Sequence, residues 1–323
     1  MSISVIYYDR VPDYLKRIII QANLLNPRKA LVASYEHYTG FGVKEQDIIT
    51  IRRVASEHVM SKLIPVNNFF QPKFEKNWSR ISFKCDSLDK ITNGGILTRG
   101  ITEIFGESGA GKTQLLLQLS LSVQLPEIKG GLQKGVALIC TEDVFPAKRL
   151  VQISESFYKK YPEEDIKYLS NIFIEHVVEP EELLNCVNRR LPILMARYHI
   201  GLIIIDSVAA VFRSESNAIN RSLDIRQLVS SLLRLSHQYN CGVICVNQVA
   251  YIPKKRKITP CLGLVFANLS RTRIKISKIP RLVNFEGRTL TARRMEVVFS
   301  PESPCEVCDF IITSDGVNDC PKH

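Results

Sequence analysis

Apolar residues in the first sixty positions recur at helical spacing. The segment PDYLKRIIIQANLL carries one such stripe, with Pro12 suited to a first helical turn, and KEQDIITIRRVASEHVM carries another beyond a Gly-containing turn at Thr39 to Gly42. They predict a small helical module over residues 1–62. Residues 63–80 (LIPVNNFFQPKFEKNWSR) have no helical period and read as an extended linker. From Ile81 the pattern changes. The β-branched runs ITEIF, VALIC, NIFIEHV, GLIIID and GVICVNQ alternate with longer amphipathic stretches that follow Lys112, Pro146, Pro180 and Ser222. Strands that are apolar throughout and separated by helices predict a parallel sheet covered on both faces. After Pro260 come VFANLS, TRIKIS, MEVVFS and DFIITS, read as strands without intervening helices and hence as an antiparallel C-terminal edge. Residues 81–323 are thus an α/β core.

Composition narrows the class. The chain has 323 residues, 45% of them hydrophobic and 23% charged, enough for about two domains and a substantial core. No apolar run reaches the ~18 residues of a membrane span, and MSISVIYYDRVPDYLKR lacks a signal-peptide core. The nine cysteines are odd in number and several lie inside apolar runs, the pattern of a reducing compartment. Cys305 and Cys308 form a single CxxC with no second pair at zinc spacing.

Charge is distributed unevenly. The net formal charge is +11, and the stretch from Val249 to Phe285 contains nine cations and no Asp or Glu. A one-sign segment reads as an anion-binding surface, with nucleic acid as its natural partner. Two other readings stand beside it. PKKRK (Pro253 to Lys257) has the form of a nuclear-localisation signal, and Arg271, Arg273 and Lys275 alternate as on the outer face of a strand.

The chemistry is concentrated in four places. Gly106-Glu107-Ser108-Gly109-Ala110-Gly111-Lys112-Thr113 fits G-x-x-x-x-G-K-[ST], directly after the run ITEIF and before a helical stretch. There the glycines let backbone N–H groups turn toward phosphate oxygens, Lys112 reaches the β and γ phosphates, and Thr113 offers a hydroxyl to Mg²⁺. Asp206 ends GLIIID, where a buried strand would hold its carboxylate near that metal; capping of the next helix is the alternative. Glu142, in CTED, stands at a strand's carboxyl end and can accept a hydrogen bond from an attacking water, with Asp143 the competing candidate. Gln248 ends GVICVNQ beside the cationic segment, so an amide there can either report the γ phosphate to that segment or bond locally.

In this order GESGAGKTQ, TEDVFPAKRL, LIIIDSVAAVFR and ICVNQV, with DGVND near the C-terminus, resemble blocks of the RecA-type recombinase family in its eukaryotic and archaeal form. The likeness runs from Ser82 to about Asp319. The stretch IFIEHVVEPEELLNCVNRRLP, with CTED in place of the recombinases' TEG, is similar to a recombinase paralogue. The resemblance implies a RecA-like P-loop ATPase core that uses ATP and Mg²⁺. Gly106 to Thr113 would bind the phosphates, Thr113 and Asp206 the metal, and Arg149 would cover the adenine. Glu142, Lys112 and Gln248 would be catalytic. Arg213, Arg221 and Arg226 correspond to a first DNA loop; Tyr251 to Thr259, with Lys254, Lys255, Arg256 and Lys257, correspond to a second. Pro301 lies in a segment that caps a neighbour's ATP in the family.

The chain also departs from the recombinases. Its linker has Phe69, Phe70 and Phe74 but no Phe-x-x-Ala, and only eleven glycine-free residues separate Gln248 from Pro260. The implied role is therefore a nuclear, ATP-dependent DNA-binding accessory of double-strand-break repair by homologous recombination, which also processes branched intermediates. It would be a slow DNA-dependent ATPase and damage sensor. Its implied partners are single-stranded or branched DNA, a C-type recombinase paralogue in a heterodimer, and the strand-exchange recombinase. A filament-forming recombinase and an ATP-stabilised scaffold without turnover are the other readings.

Overall fold

The structure, a computed structural model, describes residues 3–59, 78–142, 144–212, 217–252 and 257–321. The chain divides into two units, Met1–Glu75 and Lys76–His323. Most of the proposed linker, with Phe69, Phe70 and Phe74, lies outside the described residues. So do Asp143, Arg213 and Lys254 to Arg256.

In the first unit the helical spacing becomes α1 (Ile3–Arg10), α2 (Asp13–Gln21), α3 (Pro27–Val32), α4 (Tyr35–Gly40) and α5 (Glu45–Val59). Side chains of Asn26 and Ser34 accept backbone N–H groups of Arg28 and His37, capping α3 and α4. Tyr7, Leu15, Ile19, Tyr38 and Ile51 are fully buried in this unit's own core.

In the second unit, a short ladder of β1 (Arg80–Ile81) and β2 (Ile96–Leu97) flanks α6 (Asp86–Ile91). The expected strands form β3 (Ile101–Phe105), β4 (Gly135–Cys140), β5 (Ile172–His176), β6 (Ile200–Asp206) and β7 (Gly242–Asn247). They pair in parallel in the order β3-β7-β6-β4-β5. On one face lie α6 and α7 (Lys112–Ser122), contributing Leu88, Leu115, Leu116 and Leu119. The other face is covered by α9 (Pro180–Asn185), α10 (Leu191–Arg197) and α12 (Ala218–Tyr239). A turn of π winding, Cys186–Arg190, joins α9 to α10 just before Pro192, whose missing N–H cannot continue an α ladder. The remaining core helices are α8 (Ala147–Lys160) and α11 (Val208–Val211).

Two expectations are corrected here. VFANLS is not a strand but belongs to α13 (Gly263–Leu269). Leu262, Val265, Phe266 and Leu269 recur every three or four residues, and Phe266 is fully buried among the α12 residues; a six-residue window is too short to show that period. The following strands are longer than expected: β10 (Thr272–Phe285) and β11 (Arg288–Phe299), then β12 (Val307–Thr313) and β13 (Gly316–Asp319). They form the antiparallel edge, yet β10 also pairs in parallel with β3, which welds that edge to the sheet.

The second correction concerns charge. Arg271, Arg273, Lys275 and Arg281 are not a free cationic face. They meet Glu302 at 3.1 Å, Glu103 at 2.5 Å, Glu296 at 3.3 Å and Asp309 at 3.2 Å. Each acid comes from outside the one-sign segment, so linear charge counting could not see the pairing. No group of residues among those described forms a metal cluster, Cys305 and Cys308 included, and no described helix is long and apolar enough to cross a membrane.

Candidate nucleotide site

The site begins where β3 runs out. Gly106 passes so close to the Ile276 carbonyl that any side chain would collide with it. Gly109 (φ 70°) and Gly111 (φ 110°) then take left-handed conformations that side-chain-bearing residues rarely adopt. Ala110 is fully buried and pins the loop to the core. The chain enters α7 at Lys112 with no side-chain cap, leaving its first N–H groups facing the loop's hollow. Because α7 is buried on nearly all sides, from Leu115 to Ser122, the loop sits on a rigid base.

The hollow is a cavity of about 550 Å³. Gly106, Ser108, Gly109, Gly111, Lys112 and Thr113 line its floor, while Glu142, Asp206 and Gln248 come from the carboxyl ends of β4, β6 and β7. The glutamine, the two acids and the phosphate loop, spread over 143 residues of sequence, are thus brought together by the parallel sheet. Glu107 and Ala110 do not line the cavity. Glu107 instead accepts the Lys278 backbone N–H at 3.1 Å.

The ammonium of Lys112 folds back on the carbonyls of Gly106 and Glu107, at 2.8 and 2.9 Å. Burial lowers its pKa, against the pull of the Asp206, Glu142 and Glu107 carboxylates. The Thr113 hydroxyl donates to Asp206 at 3.2 Å. Burial raises the pKa of Asp206, and Glu142 nearby adds to this, while Thr113 and Lys112 oppose it. Gln248 donates its side-chain amide to the Glu142 carboxylate, and its backbone carbonyl accepts the Cys261 N–H at 2.9 Å. The latter bond closes the base of a hairpin of β8 (Val249–Ile252) and β9 (Lys257–Pro260). Tyr251 to Thr259, expected from the sequence as a second loop, fall between Val249 and Pro260 of this hairpin, with residues 253–256 outside those described. Lys257 stands in β9 with its side chain outside those described.

A hydroxyl and a carboxylate in contact are hard oxygen donors suited to Mg²⁺. The Ser207 hydroxyl beside them is buried, lines the same cavity and has no hydrogen-bond partner. The residues present therefore fit a hydrated divalent ion.

Other expected residues lie elsewhere. Arg149 does not line the cavity. Its guanidinium donates to Gln114 at 2.7 Å and to the carbonyls of Thr313 and Ser314 at 2.5 and 2.7 Å, tying α8 to the turn after β12. Arg221 and Arg226 are on α12, outside the cavity; five helical positions put them about 140° apart around the axis, so they do not share a face. Sequence reasoning missed Ser207, Arg293 and Ile312, which also line the cavity. Ser207 follows Asp206 directly, whereas Arg293 and Ile312 arrive through the antiparallel edge, with no local motif to announce them.

The Rad51 family model matches residues 75–320. The DNA repair protein XRCC3 of Mus musculus is 34% identical over 306 residues, covering 87% of each chain. Its Bos taurus counterpart is 36% identical over 264 residues, 77% of each chain. The DNA repair protein rhp57 of Schizosaccharomyces pombe is 32% identical over 279 residues, 72% of this chain and 77% of its own. A family match over residues 75–320, with relatives 34–36% identical across most of the chain, means that the chain belongs to the Rad51 family.

Proposed function

We propose that this chain is a Rad51 paralogue of homologous-recombination DNA repair that binds ATP with Mg²⁺ and links nucleotide state to DNA contact. Its similarity to the repair proteins XRCC3 and rhp57 supports the repair role. The observation that carries the mechanism is Gln248. Its side chain bonds Glu142 inside the phosphate cavity while its carbonyl closes the hairpin that leads into the PKKRK segment.

The roles follow from position. Backbone N–H groups of Gly106 to Thr113 bind phosphate oxygens, and Lys112 leaves the loop carbonyls to neutralise the β and γ phosphates. Thr113 and Asp206 hold Mg²⁺, which when bound offsets phosphate charge. Glu142 orients the attacking water. With a γ phosphate present, Gln248 has an alternative to Glu142, and the change passes to the hairpin through the Cys261 bond. Arg149 borders the adenine end. Lys254 to Lys257 contact the backbone of single-stranded or branched DNA, and Arg213 adds to that surface with one of Arg221 and Arg226, which do not share a face of α12. Turnover is slow. Partners are a C-type recombinase paralogue in a heterodimer and the strand-exchange recombinase, in the nucleus.

Oligonucleotide affinity measured with no nucleotide, with ADP and with a non-hydrolysable ATP analogue tests this reading. Tightest binding is expected in the analogue state, lost in Lys112→Ala. If ~5 phosphates are contacted, log Kd changes with log salt at a slope magnitude near 3.5 for single strands. Equal affinity in all three nucleotide states would overturn the coupling.

A further inference from the structure

The inward alternation of the two longest strands ends on cations. Ile274 and Ile276 of β10, like Met295 and Val297 of β11, are buried in the main core. The next positions of the same alternation are Lys278 and Arg293, and these two stand directly opposite each other in the ladder. Opposed residues of an antiparallel pair share a face, and like charges so placed destabilise it. Elsewhere on these strands Arg273, Lys275, Arg281 and Arg294 each meet a carboxylate, and only Arg288, at the turn end of β11, is also without an ion pair among the described residues. Among the described residues Lys278 and Arg293 have no ion pair.

The place where the mismatch occurs is the phosphate loop. A Cβ on Gly109 would lie 2.9 Å from Nζ of Lys278, and one on Gly111 would lie 3.9 Å from Cγ of Arg293. Arg293 lines the cavity. Its Nη1 reaches only the carbonyls of Thr291 and Ala292, at 3.0 and 3.3 Å, and its buried Nε has no partner. The Glu107 carboxylate accepts the backbone N–H of Lys278, at 3.1 Å.

We infer that Lys278 and Arg293 are a second cationic jaw over the phosphate loop and bind the polyphosphate tail of the nucleotide together with Lys112. Arg293 is the direct ligand, since a guanidinium with open N–H groups suits phosphate oxygens. Lys278 adds charge at the rim. A polyanion between the two converts their repulsion into attraction, so the pair is unfavourable in the empty protein and favourable in the loaded one. This assignment rests on the nucleotide reading proposed above.

The test uses the full chain with Mg-ATP as probe, in Arg293→Ala, Arg293→Lys, Lys278→Ala and Lys112→Ala. Titration gives Kd, and thermal unfolding with and without nucleotide gives the ATP-induced rise in Tm. Arg293→Ala is expected to weaken ATP about tenfold, the size of one charge-assisted hydrogen bond, with Arg293→Lys recovering part of the loss and Lys278→Ala losing less. The nucleotide-free Tm stays level or rises, because a repulsion has been removed, while the ATP-induced rise shrinks. Two outcomes overturn the proposal: both alanine variants binding ATP within twofold of the parent while Lys112→Ala fails to bind, or Arg293→Ala lowering the nucleotide-free Tm with its ATP-induced rise intact. If Lys112→Ala also binds like the parent, the nucleotide reading itself falls.

Discussion

Glu103 shows what a single side chain can hold in place. It is a fully buried carboxylate in the middle of β3, held by the Asn247 amide at 2.7 Å and the Arg273 guanidinium at 2.5 Å. Removing one partner leaves a buried charge uncompensated, so Arg273→Ala should lose about 3–5 kcal/mol, whereas Glu103→Gln combined with Arg273→Met should recover most of it. Urea unfolding of the three proteins checks this. Cysteines give a second prediction. Burial pushes the thiols of Cys186 and Cys241 up to about 12 and Cys140 up to about 11, while Cys261 and Cys305 are exposed. Brief alkylation of the native protein at neutral pH, read by mass spectrometry, should label the exposed pair and spare the buried three. At this scale, sequence reading reached Lys112, Thr113, Glu142, Asp206 and Gln248 because each stands at a strand end or in a loop whose backbone geometry restricts the residue type. Arg293 was illegible, since only the register of β10 on β11 brings it to the loop.

Among elements, β10, β11 and β12 all run longer than their sequence patterns predict. Asp309 of β12 accepts from Arg294 at 2.8 Å and from Arg281 at 3.2 Å, so three strands meet on one carboxylate. The Arg294 hydrogen bond, with Arg281 assisting, holds its pKa below the ordinary Asp value. The folded state therefore favours the ionised form more than the unfolded chain does. That contribution is fully present above an Asp pKa of about 4 and is lost as pH falls through the lower folded value. Asp309→Asn should cost about 1 kcal/mol at neutral pH, a modest figure because Arg294 is nearly half exposed, and the gap from the parent should close as pH falls below the ordinary Asp range. Denaturant titrations at several pH values measure it. Of the parallel strands, β4, β6 and β7 were legible because burial on both faces leaves nearly unbroken apolar runs. VFANLS was not, because one helical turn and one short strand look alike at that length.

Over the whole molecule the helical module and the α/β core were both visible in the change of period near Ile81, and each unit has a core of its own residues. What the sequence could not disclose is which parts of the molecule feel the nucleotide. Among the described residues, those that line the cavity, from Gly106 to Ile312, all belong to the second unit. A ligand at one hundred times its Kd stabilises the state that binds it by ~2.7 kcal/mol. For a unit of this size that raises Tm by about 5–10 °C. It also slows, by about a hundredfold, the exchange of amides that open only with global unfolding of that unit. Saturating Mg-ATP should therefore protect β3, α7, β6 and β7 in hydrogen-exchange mass spectrometry and leave α1 to α5 near their nucleotide-free rates, with Lys112→Ala abolishing the difference. Equal protection of α2 and α5 would mean that both units open as one cooperative body, and the nucleotide would then govern the helical module as well as the cavity.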